Sequence, residues 1–258
     1  MPHMKRVWAI FAIVLTLSCS GAKVKKSPTP EDLYNEANKE LEGSKLLWLI
    51  PVRDYEAAID GFRKVIDLYP YSQWAILAEL KIADATFLKD EYLEAVTLYK
   101  EFLKKHPTND NIPYVIYQIG LSYLEYQDGL SLFGGVPYDR DLTAAENAVV
   151  EFGYLTASYP LSPYAEKAQE KLVISRKTVA KHEIYVGDFY FSRGSFQAAL
   201  SRYKRVTEEF SDLPEAERAL YGLSRCYIAI NEQGHARASL MRLIASFPQG
   251  AYFFEASK

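Results

Sequence analysis

The chain has 258 residues, enough for one elongated repeat domain or for one to two compact domains. Its 30 basic and 33 acidic residues give a formal net charge of −3, which argues against a nucleic-acid partner because such proteins need a concentrated basic surface. Only two cysteines are present, Cys19 and Cys226, so a disulfide framework cannot be the basis of the fold.

The first nineteen residues have the parts of a secretory signal. Lys5 and Arg6 form a short positive segment, an apolar run of 11 residues follows over 7–17, and Ser18 precedes Cys19. The run is too short for a transmembrane helix, which takes about 20 residues, and has the length of a signal-peptide core. The pattern resembles a bacterial lipobox, in which the signal is removed and the cysteine is lipidated. The alternative is an ordinary cleaved signal with an incidental cysteine.

We therefore expect a signal peptide over 1–18 and, over 19–30, the lipidated Cys19 with a flexible polar tether. Removal of the signal leaves 28 basic and 33 acidic residues, a net charge of −5. With Cys19 lipidated, Cys226 has no partner in the chain, and its apolar helical surroundings predict a small buried side chain.

Five segments end alike, which indicates an internal repeat. In each, an alanine stands twelve residues before the terminus and a large apolar residue stands eight before it. These spacings place both on one stripe of a helix, and a proline at the terminus ends the helix because it has no N–H to donate. The termini are Pro70, Pro107, Pro160, Ser211 and Pro248, the alanines are Ala58, Ala95, Ala148, Ala199 and Ala236, and the large apolar residues are Phe62, Tyr99, Phe152, Tyr203 and Leu240.

A second helical pattern with a small residue precedes each of these segments. The small residues are Ala37, Ala83, Gly120, Gly187 and Ser224. A small residue that faces the alanine of the partner helix lets the two helices approach closely. This alternation resembles the tetratricopeptide repeat over most of residues 31–250. The sequence thus predicts an all-α, right-handed solenoid of about five helix hairpins, with units 1–3 over 31–160, units 4–5 over 161–258, and no visible strand pattern.

Uneven spacing between the termini locates three insertions. Two of them are Gly43–Arg53 in the first unit and the loop Tyr126–Asp141, which splits the third hairpin. The other lies between units 3 and 4. Because no helix breaker follows Pro163 there, we expect an unusually long first helix in the fourth unit.

No catalytic constellation is visible in the sequence. The four histidines are spread over the chain, and His182-Glu183 lacks the second histidine that a zinc motif has four residues on. Gly134-Gly135 predicts a flexible connector, and Asp139-Arg140-Asp141 predicts exposed ion pairs that cap the next helix rather than a metal site. We expect no cofactor, no metal and no enzymatic activity. A lipoprotein hydrolase would need a catalytic group that the sequence lacks.

A more specific resemblance lies in the segment Tyr138–Ala168. An Arg-Asp pair there precedes a helix with Ala and Phe, and a YP-x-S-x-YA turn follows. The matching residues are Arg140-Asp141, Ala148, Phe152, Tyr159-Pro160, Ser162 and Tyr164-Ala165. Together with the Tyr, Arg-Gly and Ala-Ala pattern of Glu183–Val206, this segment resembles the BamD/ComL family of lipoproteins. The chain departs from the family at the LLWLIP insertion in the first unit and at Ser211.

The resemblance implies a periplasmic scaffold that a lipid anchors to the outer membrane. Its N-terminal repeats would capture C-terminal strands of unfolded outer membrane proteins, and its C-terminal repeats would dock the periplasmic domains of BamA. Accessory Bam lipoproteins are further candidate partners. The alternative is another periplasmic tetratricopeptide lipoprotein that coordinates cell-wall synthesis or polysaccharide export.

Two sets of residues are candidates for binding. Counting along the first helix of units 1–3 from its small residue gives inward positions for an extended peptide, and the chain's 20 tyrosines suit such a groove. These positions are Tyr34, Asn38, Asp84, Phe87, Tyr114 and Tyr117. In the fourth unit, Arg193, Arg202 and Arg205 form a basic exception to an acidic background. We expect Arg202 and Arg205 on one exposed side of their helix, with Arg202 paired to an acidic residue of BamA.

Overall fold

The computed structural model describes residues 27–46, 50–129 and 141–253, which contain ten α-helices and one β-hairpin. The helices form five units in chain order, each with a first and a second helix. The units are α1 (Pro30–Glu42) with α2 (Tyr55–Leu68), α3 (Gln73–Leu88) with α4 (Tyr92–Lys105), α5 (Ile112–Gly129) with α6 (Thr143–Ser158), α7 (Ala165–Ser192) with α8 (Phe196–Glu209), and α9 (Glu215–Ala229) with α10 (Gln233–Ser246).

Each helix packs against the next helix along the chain. First helices of neighbouring units are also in contact: α1 contacts α3, α5 contacts α7, and α7 contacts α9. Packing against near neighbours in the chain is the pattern of a repeat solenoid. The described residues therefore form the tetratricopeptide-type helical solenoid that the repeat pattern predicts, with its first helices side by side.

Every second helix ends where the repeat pattern predicts. The residue that caps its C-terminus has φ between −126° and −137°, an extended value that a following proline favours. The helix α8 ends in the same way at Phe210, although Ser211 stands in place of proline. Phe210 is buried in the core of the C-terminal units. We infer that packing of this ring ends the helix where the proline is missing.

Two of the small residues of the first helices, Gly120 and Gly187, lie against aromatic rings. A Cβ added at Gly120 would lie 2.7 Å from the ring of Phe152, and one added at Gly187 would lie 2.7 Å from the ring of Tyr203. The sequence predicts that each small residue faces the alanine of its partner helix. Instead, the nearest atoms belong to the ring four residues after that alanine. Glycine is needed at both positions because a side chain there would overlap the ring.

The insertion Gly43–Arg53 contains a short β-hairpin. Strand β1 (Ser44–Leu46) pairs with β2 (Ile50–Val52) in antiparallel register, with Ser44 opposite Val52. Among the described residues this hairpin is the one departure from the all-α fold, and the sequence shows no strand pattern for it. Strands of three residues are too short to produce the alternation by which a strand is identified in a sequence.

The other two insertions agree with expectation as far as they are described. The helix α7 is 28 residues long and has neither Gly nor Pro before Gly187. Residues 130–140 of the loop, with Gly134-Gly135 and Asp139-Arg140, lie outside the described residues. Asp141 accepts hydrogen bonds from the backbone N–H and the hydroxyl of Thr143 at the start of α6, at 3.0 and 2.8 Å, which lower the pKa of its carboxyl. Asp141 thus satisfies an N–H of the first turn of α6, although Leu142 occupies the N-cap position.

Cys226 is fully buried and free, as predicted, and burial raises the pKa of its thiol to about 11 from an ordinary 9.0. Because the thiolate is the reactive form, we expect a thiol reagent at about pH 8 to label a native Cys19→Ala protein slowly and the unfolded protein rapidly. The native thiol keeps its proton to a higher pH than the unfolded thiol does. The free energy of unfolding therefore falls as the pH rises from about 9 to about 11. Equally rapid labelling in both states would contradict the burial.

Candidate functional site

Two groups of aromatic rings involve the first helices of units 1 to 3. Tyr34 of α1 lies 5.0 Å from Trp74 of α3, measured between ring centroids. Tyr114 and Tyr117 of α5 lie 5.4 and 5.7 Å from Tyr164, which directly precedes α7. We call Tyr34, Trp74, Tyr114, Tyr117 and Tyr164 the N-terminal aromatic surface. All five side chains are half-buried, so each keeps part of its ring open to solvent.

Asp84 lies beneath this surface and is 7% exposed. Its Oδ1 accepts hydrogen bonds from the hydroxyls of Tyr99 and Tyr114 at 2.9 and 2.8 Å. Its Oδ2 accepts one from Lys81 at 2.9 Å. The helical position of Asp84 predicts a side chain that faces inward, toward a bound peptide. In the structure its carboxylate is not free for such a contact. It is a buried acceptor that holds Tyr114 and Lys81 in place.

Burial raises the pKa of three hydroxyls of this surface above the ordinary tyrosine value, at which a hydroxyl is already neutral at pH 7. Desolvation raises the pKa of Tyr34, Tyr114 and Tyr117, and for Tyr114 the charge and hydrogen bond of Asp84 raise it further. For Lys81, burial lowers the pKa but Asp84 raises it by more. At neutral pH the site thus presents aromatic faces, neutral hydroxyls and one ammonium group.

The remaining two candidates of this set make other contacts. Asn38 donates a hydrogen bond to the carboxylate of Glu42 at 2.6 Å, one turn further along α1. Phe87 packs edge-on against Tyr92 of α4, with 5.3 Å between the ring centroids. Of the six candidates, Asp84 and Tyr114 are hydrogen-bonded to each other, and Lys81 bonds the same carboxylate. Tyr34 packs on Trp74, and Tyr117 packs on Tyr164. Sequence reasoning missed these three connecting residues, because it counted only two inward positions on each first helix.

In the fourth unit, the carboxylate of Glu183 is held by two arginines of α8. Glu183 is 2% exposed, and Arg205 donates to it at 2.7 Å. Arg202 reaches both of its oxygens from one nitrogen, at 3.2 and 3.4 Å. Arg205 also donates to Glu146 of α6 at 2.8 Å and to Glu209 at 3.1 Å. Although burial alone lowers the pKa of Arg205, its hydrogen bonds to Glu146 and Glu209 and the charge of Glu183 raise it overall.

The three candidate arginines therefore differ. Arg205 keeps 34% of its side chain exposed and shares Glu183 with Arg202, but three carboxylates hold its guanidinium. The side chain of Arg202 is 41% exposed and makes only the longer contacts to Glu183. Arg193 stacks on the ring of Phe189, with 4.3 Å from its guanidinium carbon to the ring centroid. Arg202 and Arg205 thus share one cluster, and Arg193 packs on an aromatic ring of α7.

Other classes of site were sought over the same ranges of the chain. Within residues 27–46, 50–129 and 141–253, no three His, Cys, Asp or Glu side chains are grouped as metal ligands. No helix in these ranges is both long and apolar enough to cross a membrane.

Comparison with known proteins gives consistent results over most of the chain. The "outer membrane protein assembly factor BamD" of Caulobacter vibrioides is 26% identical over 247 residues, which cover 96% of this chain and 78% of that protein. The BamD proteins of Vibrio cholerae and Neisseria gonorrhoeae are each 26% identical as well, over 82% and 98% of this chain and 85% and 95% of their own lengths. Among solved structures, the TPR2AB domain of yeast Sti1 in a pHSP90 complex aligns with a TM-score of 0.36 at 17% identity, over 83% of this chain and 78% of that one.

A family profile gives the assignment directly. The profile of the YfiO family, described as outer membrane lipoprotein, matches residues 26–243 and so includes all five helix pairs except the last residues of α10. The chain therefore belongs to the YfiO family of outer membrane lipoproteins, the family of the BamD assembly factors.

Proposed function

We propose that this protein is a lipid-anchored periplasmic scaffold that takes part in the assembly of outer membrane proteins. The names of its relatives support this role, since each is an outer membrane protein assembly factor. Cys19 would carry the anchor, and 19–30 would be the tether; most of this segment lies outside the described residues. The folded part begins beside the second helix of the first unit, where the hydroxyl of Tyr69 donates to the carbonyl of Pro28 at 2.7 Å.

The N-terminal aromatic surface is proposed to bind the C-terminal strands of unfolded outer membrane proteins. Two groups of rings carry the proposal, Tyr34 with Trp74 and Tyr114 and Tyr117 with Tyr164, because such rings fit an extended peptide with aromatic side chains. Lys81 adds an ammonium group that can meet a peptide carboxylate. Asp84 would support the surface from beneath, and Asn38 and Phe87 would border it.

Arg202 is proposed to dock an acidic residue of a periplasmic domain of BamA. Because Arg205 holds Glu183 at 2.7 Å, Arg202 can turn to a partner without leaving that buried carboxylate unpaired. A cleft of about 410 Å³ opens beside Arg202 and Glu183 and has room for a partner side chain. Arg205 would then position the cluster rather than touch BamA. Accessory Bam lipoproteins are further proposed partners.

The client-binding part is tested by site-specific photo-crosslinking. We expect a photoreactive amino acid in place of Tyr117 to capture C-terminal peptides of outer membrane proteins, because this ring borders the proposed groove. The matched control is Tyr154, which is 52% exposed on the second helix α6. Crosslinking should be strong at 117 and weak at 154, as read by mass spectrometry of the products. Equal capture at the two positions, or capture at 154 alone, would contradict the proposed surface.

A further inference from the structure

A second cleft lies between the first helices of the last two units, α7 and α9. It has a volume of about 300 Å³, and its lining includes Lys181, Tyr185, Glu215 and Arg218. Lys181, Tyr185 and Phe189 follow one another at intervals of four along α7 and so share one face of that helix. Tyr185 and Phe189 are 44% and 45% exposed, which is unusual for aromatic side chains on a packed helix.

Two arginines of the same two elements, Arg193 at the C-terminus of α7 and Arg225 on α9, lie beyond the lining of the cleft and rest on aromatic rings. The guanidinium of Arg193 lies 4.3 Å from the centroid of Phe189, and that of Arg225 on α9 lies 4.3 Å from the centroid of Phe191. A guanidinium stacked on a ring keeps its N–H donors in its own plane, where a carboxylate can reach them. Stacking thus presents both arginines to a partner without neutralising them.

The cations at the cleft differ in whether a carboxylate neutralises them. Arg218 forms an ion pair with one carboxylate oxygen of Asp188. The other oxygen accepts a hydrogen bond from the hydroxyl of Tyr203 at 2.5 Å. Within the part of the chain that the structure describes, Lys181, Arg193 and Arg225 form no ion pair with any carboxylate. Of these three uncompensated cations, Lys181 lines the cleft and Arg193 and Arg225 lie beyond its lining, while Glu215 adds one carboxylate to the lining.

Glu215 supplies a hydrogen-bond acceptor to the same cleft. Its Oε2 is buried and has no donor among the described residues. A buried acceptor without a partner costs free energy, and a peptide backbone N–H would satisfy it. An extended peptide offers such N–H groups along its length, whereas a small anion offers none.

From these observations we infer that the α7–α9 cleft binds an extended acidic segment of a partner protein, with an aromatic or large apolar side chain in the cleft. Carboxylates of the segment would meet Lys181, Arg193 and Arg225, and its apolar side chain would pack on Tyr185 and Phe189. This surface is separate from the N-terminal aromatic surface and from the cluster of Arg202 and Glu183, so it provides a third binding function.

The proposal is tested with purified full-length protein and a fluorescent synthetic peptide of about ten residues in which Glu and Asp alternate with Phe and Tyr. We expect binding in a polarisation assay that weakens with salt, and at least about tenfold weaker binding of the same peptide with Lys in place of its acidic residues. Lys181→Glu together with Arg193→Glu should lower the affinity at least about tenfold, and Tyr185→Ala should lower it about fivefold.

Lys204→Glu is the control, because at an exposed position of α8 it makes the same change of charge as each of the two replacements taken singly. It should leave peptide affinity unchanged, and circular dichroism should give native melting for all variants. Equal binding of the two peptides, equal loss in Lys204→Glu, or binding to anionic phospholipid vesicles but not to the acidic peptide would overturn the proposal. The assay needs neither BamA nor an outer membrane protein, so its failure is distinguishable from a failure of the proposed function.

Discussion

Replacement of Arg205 by alanine should lower the free energy of unfolding by about 3 kcal/mol. Breaking a buried ion pair typically costs about 3–5 kcal/mol, because one charge is left buried without its partner. Here that charge is Glu183, which is 2% exposed. We expect the lower end of the range because Arg202, now 3.2 Å away, can move closer to the carboxylate. Urea denaturation followed by circular dichroism measures the effect.

The control for this prediction is the neighbouring Lys204→Ala. Lys204 is 61% exposed and lies 3.7 Å from Glu208, so its loss should change stability by less than about 0.5 kcal/mol. A second variant, Arg205→Met with Glu183→Leu, removes the buried charge along with its partner and should recover much of the lost stability. If Arg205→Ala is no less stable than Lys204→Ala, the cluster does not hold units 3 and 4 together.

Replacement of Tyr203 by alanine should have an equally large effect, about 3–5 kcal/mol. Tyr203 is 2% exposed, and its ring lies between two glycines, Gly187 of α7 and Gly222 of α9. Removal of a large buried ring leaves a cavity that rigid helices close only in part. The hydroxyl also donates to Asp188 at 2.5 Å, and burial together with this contact raises the pKa of Tyr203. Thermal melting or urea denaturation would measure the loss.

Two further variants separate the contributions of Tyr203. Tyr203→Phe keeps the ring and removes only the hydrogen bond, so it should cost about 1–3 kcal/mol. Tyr71→Ala removes a tyrosine whose side chain is fully exposed, and it should stay within about 0.5 kcal/mol of the native protein. A loss below about 1 kcal/mol for Tyr203→Ala would mean that the ring does not fill the space between the two glycines.

The repeat positions could be read from the sequence because they depend on local spacing. The buried alanines and rings recur at fixed intervals, and the helix ends follow from proline and the residue before it. The long helix α7 could be predicted for the same reason, since it depends on the absence of a breaker within one segment. Helical periodicity carries this information because residues three and four apart share a face.

The polar contacts could not be predicted, because their partners are distant in the sequence. Asp84 is buried by tyrosines 15 and 30 residues away, and Arg205 pairs with glutamates 22 and 59 residues before it. A helical position gives the direction of a side chain, but it does not give the residues that a neighbouring helix places against it. For this reason the spacing predicts Arg205 on an exposed side of its helix and Asp84 at an inward position, but it does not predict the groups that hold them.

The proposed function makes this chain a subunit of a machine that assembles outer membrane proteins. Affinity purification of the membrane-anchored protein from detergent-solubilised outer membrane, followed by mass spectrometry, tests it most directly. We expect BamA to be recovered with the native protein. We expect Arg202→Glu to reduce this recovery while the melting temperature stays unchanged. Recovery of peptidoglycan synthases or polysaccharide export proteins without BamA would contradict it.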